Sequence, residues 1–156
     1  MALLMVPQLD AEPWPTLGPQ MCDFIEDRMV YGPGSLAGQP YVIDGEFRAW
    51  LYRAYEVFPR GHAWAGRRRF KRCGMSVRKG TAKTEKEAII VAAELHPEGP
   101  VRCDGFDAYG QPVGRPVRSP YIPMLAYTKD QVEELAYGAL KSILENIADA
   151  DLFDVS

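Results

Sequence analysis

The 156-residue chain, 47% hydrophobic and 25% charged, has the makeup of a globular domain rather than a disordered or fibrous segment. No apolar run approaches the about 20 residues a membrane-spanning helix needs, and the opening Met1-Ala2-Leu3-Leu4-Met5-Val6 meets Pro7 without the basic flank of a signal peptide, so a cytoplasmic protein is expected. Cys22, Cys73 and Cys103 show no metal-type pairing and only His62 and His96 could assist them, which argues for a reduced protein without a structural metal.

Residues 1–19 carry Pro7, Pro13, Pro15 and Pro19 without a period and read as an extended arm. Residues 20–30 suit a helix with Met21, Phe24, Ile25 and Val30 as its apolar members, stopped by Gly32-Pro33-Gly34. Asp44 is placed to cap a second helix, in which Phe47, Trp50, Leu51, Ala54 and Tyr55 follow at helical spacing. Residues 70–77 have strand length, and residues 84–96 then read as a helix with an apolar centre at 88–93. The glycines and prolines between 101 and 119 suggest a hairpin or irregular excursion. Residues 121–127 form a short apolar run of strand length. Thr128 would cap a long helix with Val132, Leu135, Ala136, Ala139, Leu140, Ile143, Leu144 and Ile147 on one face. One βαβ-like unit in this order predicts an α/β fold with a parallel sheet, unfinished within the chain.

Charge is unevenly laid out. Between Arg60 and Lys83 stand Arg67, Arg68, Arg69, Lys71, Arg72, Arg78 and Lys79 with no acid, whereas beyond Thr128 seven acids face only Lys129 and Lys141. Such a layout points to a polyanion near the middle of the chain, or more plainly to a solvated basic face neutralised by the acidic helix.

The turn between the expected strand and helix, Arg78 to Glu85, has the chemistry of a phosphate loop. Lys83 and Thr84 at a helix start supply a cation for the outer phosphates and a hydroxyl for Mg²⁺, with backbone N–H groups behind them. The common glycine pattern is out of register: Val77 and Ala82 occupy its two glycine positions and Gly80 lies inside the loop. A basic strand-to-helix turn with no ligand is the plainer alternative.

The segment Arg72-Cys73-Gly74-Met75-Ser76-Val77-Arg78-Lys79-Gly80-Thr81-Ala82-Lys83-Thr84-Glu85 resembles the deviant Walker A loop of the large terminase subunits of tailed bacteriophages, ATPases that package viral DNA, particularly those of actinobacterial phages and prophages. Residues 43–57, with Glu46, are similar to the adenine-side segment of that family, and residues 121–132 to the strand and helix start that follow the loop. Glu94-Leu95 and Gly110-Gln111-Pro112-Val113 resemble the linking segment, so the likeness covers about residues 40–148.

The resemblance implies a P-loop NTPase-like parallel sheet with flanking helices, incomplete here, with residues 1–40 as an arm and first helix and 41–156 as the first part of the ATPase domain. It implies ATP and Mg²⁺ as cofactors. Lys83 would bind the β- and γ-phosphates, Thr84 would ligate Mg²⁺, and Gly80, Thr81 and Ala82 would offer backbone donors. Arg78 or Lys79 would be the cis arginine-finger equivalent. Glu46 stands where the family's adenine-reading Gln is expected, and a carboxylate cannot donate to adenine N7. Implied partners are double-stranded viral DNA, a portal and a small terminase subunit, in the host cytoplasm, and a separate chain carrying the rest of the motor.

The acidic pair that should follow an apolar strand is missing downstream of Lys83. Asp149, Asp151 and Asp154 come after a helix instead, so this chain alone is expected not to hydrolyse ATP. The competing expectation is a small nucleic-acid-binding or assembly module in which Arg67, Arg68, Arg69, Lys71 and Arg72 grip phosphates and no nucleotide binds. Trp50, Tyr52, Tyr55 and Trp64 are candidates for stacking on adenine, although aromatic residues at helical spacing more often fill a core.

Overall fold

A computed structural model of the chain describes residues 6, 10–78, 82–125, 128–131 and 136–155. It is a mixed α/β arrangement whose elements in chain order are α1 (Gly18–Arg28), α2 (Gly45–Ala54), α3 (Lys83–Leu95), β1 (Arg102–Phe106), β2 (Pro112–Arg115), α4 (Lys129–Gln131), α5 (Gly138–Asn146) and a 3₁₀ turn at Ala150–Leu152. Helix α1 starts inside the proline-rich arm, at Gly18, because Pro19 in the first turn has no N–H to lose and its fixed φ suits a helix start. Asp44 caps α2 as its position predicts, its carboxylate accepting the Phe47 N–H at 2.7 Å.

The core is helical. Met21, Cys22 and Ile25 of α1, Phe47, Leu51 and Ala54 of α2, Ala88, Ile89, Ala92 and Ala93 of α3, and Ala139, Leu140, Ile143 and Leu144 of α5 are all buried. Helix α1 packs on α2 and α3, and α3 packs on α5. The small residues of α3 let these backbones approach closely, and so its apolar centre is buried between helices rather than against a sheet. Met29 and Tyr41, on either side of position 40, belong to the same core. Burial pushes the Cys22 thiol up to about 11, leaving it protonated at neutral pH.

The sheet departs from expectation. Among the described residues it consists of β1 and β2 alone, antiparallel, with Arg102 opposite Arg115 and Cys103 opposite Gly114. Residues 70–77 form no strand, and neither do residues 121–125; Ala126 and Tyr127 lie outside the described residues. A parallel sheet needs neighbouring strands to satisfy each edge, and the described residues supply none. Both segments nevertheless keep a two-residue burial alternation. Met75 and Val77 are half-buried between exposed Gly74, Ser76 and Arg78, and Ile122 and Met124 between exposed Tyr121, Pro123 and Leu125. The long helix expected after Thr128 is seen as α4 and α5; Val132 and Leu135 lie outside the described residues.

Local pairings complete the frame. Residues 56–58 are flanked by 15–17 on one side and 67–69 on the other, through Val57 N–H to Pro15 O (2.9 Å), Phe58 N–H to Arg67 O (2.9 Å) and Arg69 N–H to Glu56 O (2.9 Å). At the other end, fully buried His96 joins the end of α3 to the C-terminal turn. Its Nδ1 accepts the Glu98 N–H at 3.0 Å, which leaves Nε2 to donate to Asp149 at 3.1 Å. Arg28 of α1 binds the same carboxylate at 2.7 Å, and this pair, with His96, holds the Asp149 carboxyl below the usual carboxylate range.

Candidate functional site

Helix α3 begins without a side-chain cap. Ala82 precedes it in the left-handed region, with φ 55° and ψ 31°, and the first intrahelical bond runs from Lys86 N–H to Ala82 O at 3.0 Å. The N–H groups of Lys83, Thr84 and Glu85 therefore have no partner within the helix. A left-handed residue leading into right-handed ones turns successive N–H groups toward one concave side, the geometry of a backbone anion nest. The positive end of the α3 dipole adds to it.

Two ties fix this helix start. Glu85 accepts the Gly32 N–H at 3.0 Å, and the Lys86 ammonium binds Asp44 at 2.6 Å while lying 5.3 Å from the Phe47 ring centre. Burial pushes the Asp44 carboxyl up, but the Lys86 and Phe47 hydrogen bonds outweigh it and leave its pKa lowered. The first turn of α3 is thus bolted to the cap of α2. Sequence reasoning named Glu85 only as the end of the loop and did not single out Lys86. Their signal was an acid and a base in the first turn of α3, with a capping acid, Asp44, at another helix start.

Lys83 is exposed and its ammonium lies 3.9 Å from Glu87, a loose i,i+4 contact that leaves the side chain able to turn toward the helix start. Thr84 is half-buried beside it, and Arg78 is exposed before the loop. Lys79, Gly80 and Thr81 lie outside the described residues. Glu46 sits half-buried in the first turn of α2, the helix whose cap is tied to α3. Among the described residues no three His, Cys, Asp or Glu side chains converge as a metal site.

The basic stretch divides. Arg67, Lys71 and Arg72 are exposed, whereas Arg68 and Arg69 turn inward. Arg68 lies 3.8 Å over the Tyr55 ring, binds Glu94 at 2.9 Å and donates to Val101 O at 3.0 Å. Arg69 lies 4.0 Å over Trp14 and binds Glu56 at 2.7 Å as well as Asp10. Glu94 also accepts the Tyr55 hydroxyl at 2.8 Å and pairs with Arg102 at 2.9 Å. The pairing of 67–69 with 56–58 aims these two guanidiniums inward, at half-buried Glu94 and buried Glu56. Of the aromatic candidates, Tyr55 is core, Trp50 donates to Gly74 O at 3.2 Å, and Trp64 stands exposed beside His62 and Phe58.

No protein-family model matches the chain, and neither a curated protein nor a solved structure matches it.

Proposed function

We propose that the chain holds the phosphates of ATP at the start of α3, as the nucleotide-binding part of a terminase-type DNA-packaging ATPase. The observation that carries this is the uncapped start of α3. Left-handed Ala82, three N–H groups free of helical partners, Lys83 and Thr84 come together there, on a helix pinned by Glu85 and Lys86. Lys83 would neutralise the outer phosphates, Thr84 would join the Mg²⁺ shell, and Arg78 or Lys79 would meet charge developing on the transferred phosphoryl group. Residues 70–77 and 121–125, alternating like strands but without ladder partners among the described residues, would become the parallel sheet of a P-loop fold once further strands pair with them. The partners in this reading are double-stranded DNA, a portal and a small terminase subunit in the host cytoplasm. The acids that activate water would come from outside the described chain.

ATP binding measured calorimetrically with Mg²⁺ tests the site. Lys83→Ala is expected to abolish binding with an unchanged circular dichroism spectrum, and Thr84→Ala to remove its Mg²⁺ dependence. The chain alone should not turn over ATP. Binding that survives Lys83→Ala would overturn the proposal.

A further inference from the structure

We infer that the arginine-lined trough on the β-hairpin binds the phosphodiester backbone of a nucleic acid. Antiparallel register sets Arg102 directly opposite Arg115, and cross-strand partners project to the same face, where like charges repel. Both line an open cavity of about 680 Å³ together with Asp104, Arg118 and Ser119. Three guanidiniums there meet one carboxylate.

Their compensation is uneven. Arg102 is held by Glu94, which Arg68 and Tyr55 share. Arg115 reaches Asp104 only at 3.7 Å, with both side chains largely exposed. Arg118 has no ion pair or hydrogen bond among the described residues and is exposed. Phosphate oxygens would relieve the Arg102–Arg115 repulsion and match the planar donor fork of each guanidinium. An open trough admits a chain of phosphates passing through, whereas an enclosed pocket would favour a single small anion.

The trough is presented on a stiff support. Asp107 closes the hairpin loop by accepting the N–H groups of Tyr109 (2.8 Å) and Gln111 (2.9 Å). The Gln20 side-chain amide donates to Pro112 O at 2.6 Å and accepts the Gly114 N–H at 2.8 Å, tying β2 to α1. A Cβ at position 114 would come within 2.8 Å of the Pro100 backbone, so β2 sits tight against that proline. A preorganised groove loses little entropy when it binds. The inference does not depend on the nucleotide reading, since no residue is shared.

The test is fluorescence anisotropy of a labelled DNA duplex of about 20 base pairs across about 50 to 200 mM salt, the range over which phosphate contacts show their slope. Arg115→Ala with Arg118→Ala is expected to reduce the slope of log affinity against log salt by about 2, because each lost phosphate contact removes about 0.9. The single change Arg118→Glu, at a side chain with nothing to unpair, should weaken binding at least tenfold without altering the fold. Changing Arg67, Lys71 and Arg72 together to Ala should leave most of the slope, and Lys83→Ala should leave all of it while removing ATP binding. The inference fails if the wild-type chain does not bind the duplex, or if the hairpin variants bind like wild type. It also fails if millimolar inorganic phosphate displaces the duplex as a simple competitor at unchanged ionic strength, which would mark a small-anion site.

Discussion

Ala82 enters α3 with φ 55°, a left-handed backbone that costs a residue bearing a Cβ about 1–2 kcal/mol. Among the described residues it is the only non-glycine with positive φ, and it stands where the N–H groups of α3 turn outward. Ala82→Gly should raise stability by up to about 1 kcal/mol, since the strain relieved exceeds the chain entropy glycine adds. A denaturant midpoint that falls would show that the left-handed turn carries no strain. Arg68 carries a different load. Removing it takes a guanidinium from the Tyr55 ring and leaves Glu94, largely buried, with Arg102 and the Tyr55 hydroxyl alone. Arg68→Ala is expected to destabilise by about 2 kcal/mol in urea unfolding while leaving the salt slope for DNA unchanged, whereas Arg67→Ala should do neither harm. Counting charges along the sequence treats every arginine as solvated, so residues 67–72 read as one gripping patch. The sign that two of them turn inward was Glu94, an acid within the apolar run of α3, and Glu56 beside Tyr55 and Val57: carboxylates in such company need cations.

At the scale of elements, what was legible followed from local chemistry. The Asp44 cap and the 3/4 spacing of Phe47, Leu51 and Ala54 specify α2 without help from the rest of the chain. The apolar centre of α3 and the Gly–Pro punctuation around β1 and β2 do the same for those elements. Residues 70–77 and 121–125 show the limit of such reading. Their alternation is a property of the sequence and persists in the structure as alternating burial, but a strand also needs a neighbour's backbone, which no local pattern encodes. The start of α3 was located correctly as a turn into a helix. Its bolting to α2 through Lys86 and Asp44 required tertiary geometry, because the two residues stand far apart in the chain.

For the molecule as a whole, one helical core joins α1, α2, α3 and α5, and the His96–Asp149–Arg28 cluster closes its far end. Arg28 and His96 lower the pKa of Asp149 in the folded state, so its contribution to stability is complete above the unfolded value of about 3.9. That contribution drains away as pH falls through the lower folded value. Asp149→Asn should therefore reduce the urea midpoint at pH 7 and reduce it by less in acid below the ordinary carboxylate range. An equal deficit at both pH values would mean that the carboxylate's charge plays no part.

The Gln20 clamp has a consequence in time. Its two hydrogen bonds bridge 92 and 94 positions of sequence, from the first turn of α1 to β2. A ribosome adding about 5 to 20 residues per second delivers Gly114 some 5 to 20 s after Gln20. Until then α1 can coil and meet α2, but its Gln20 amide must satisfy itself with water. Only when the hairpin emerges can those two bonds replace that water, so the trough takes its final posture well after α1 and α2 have been made.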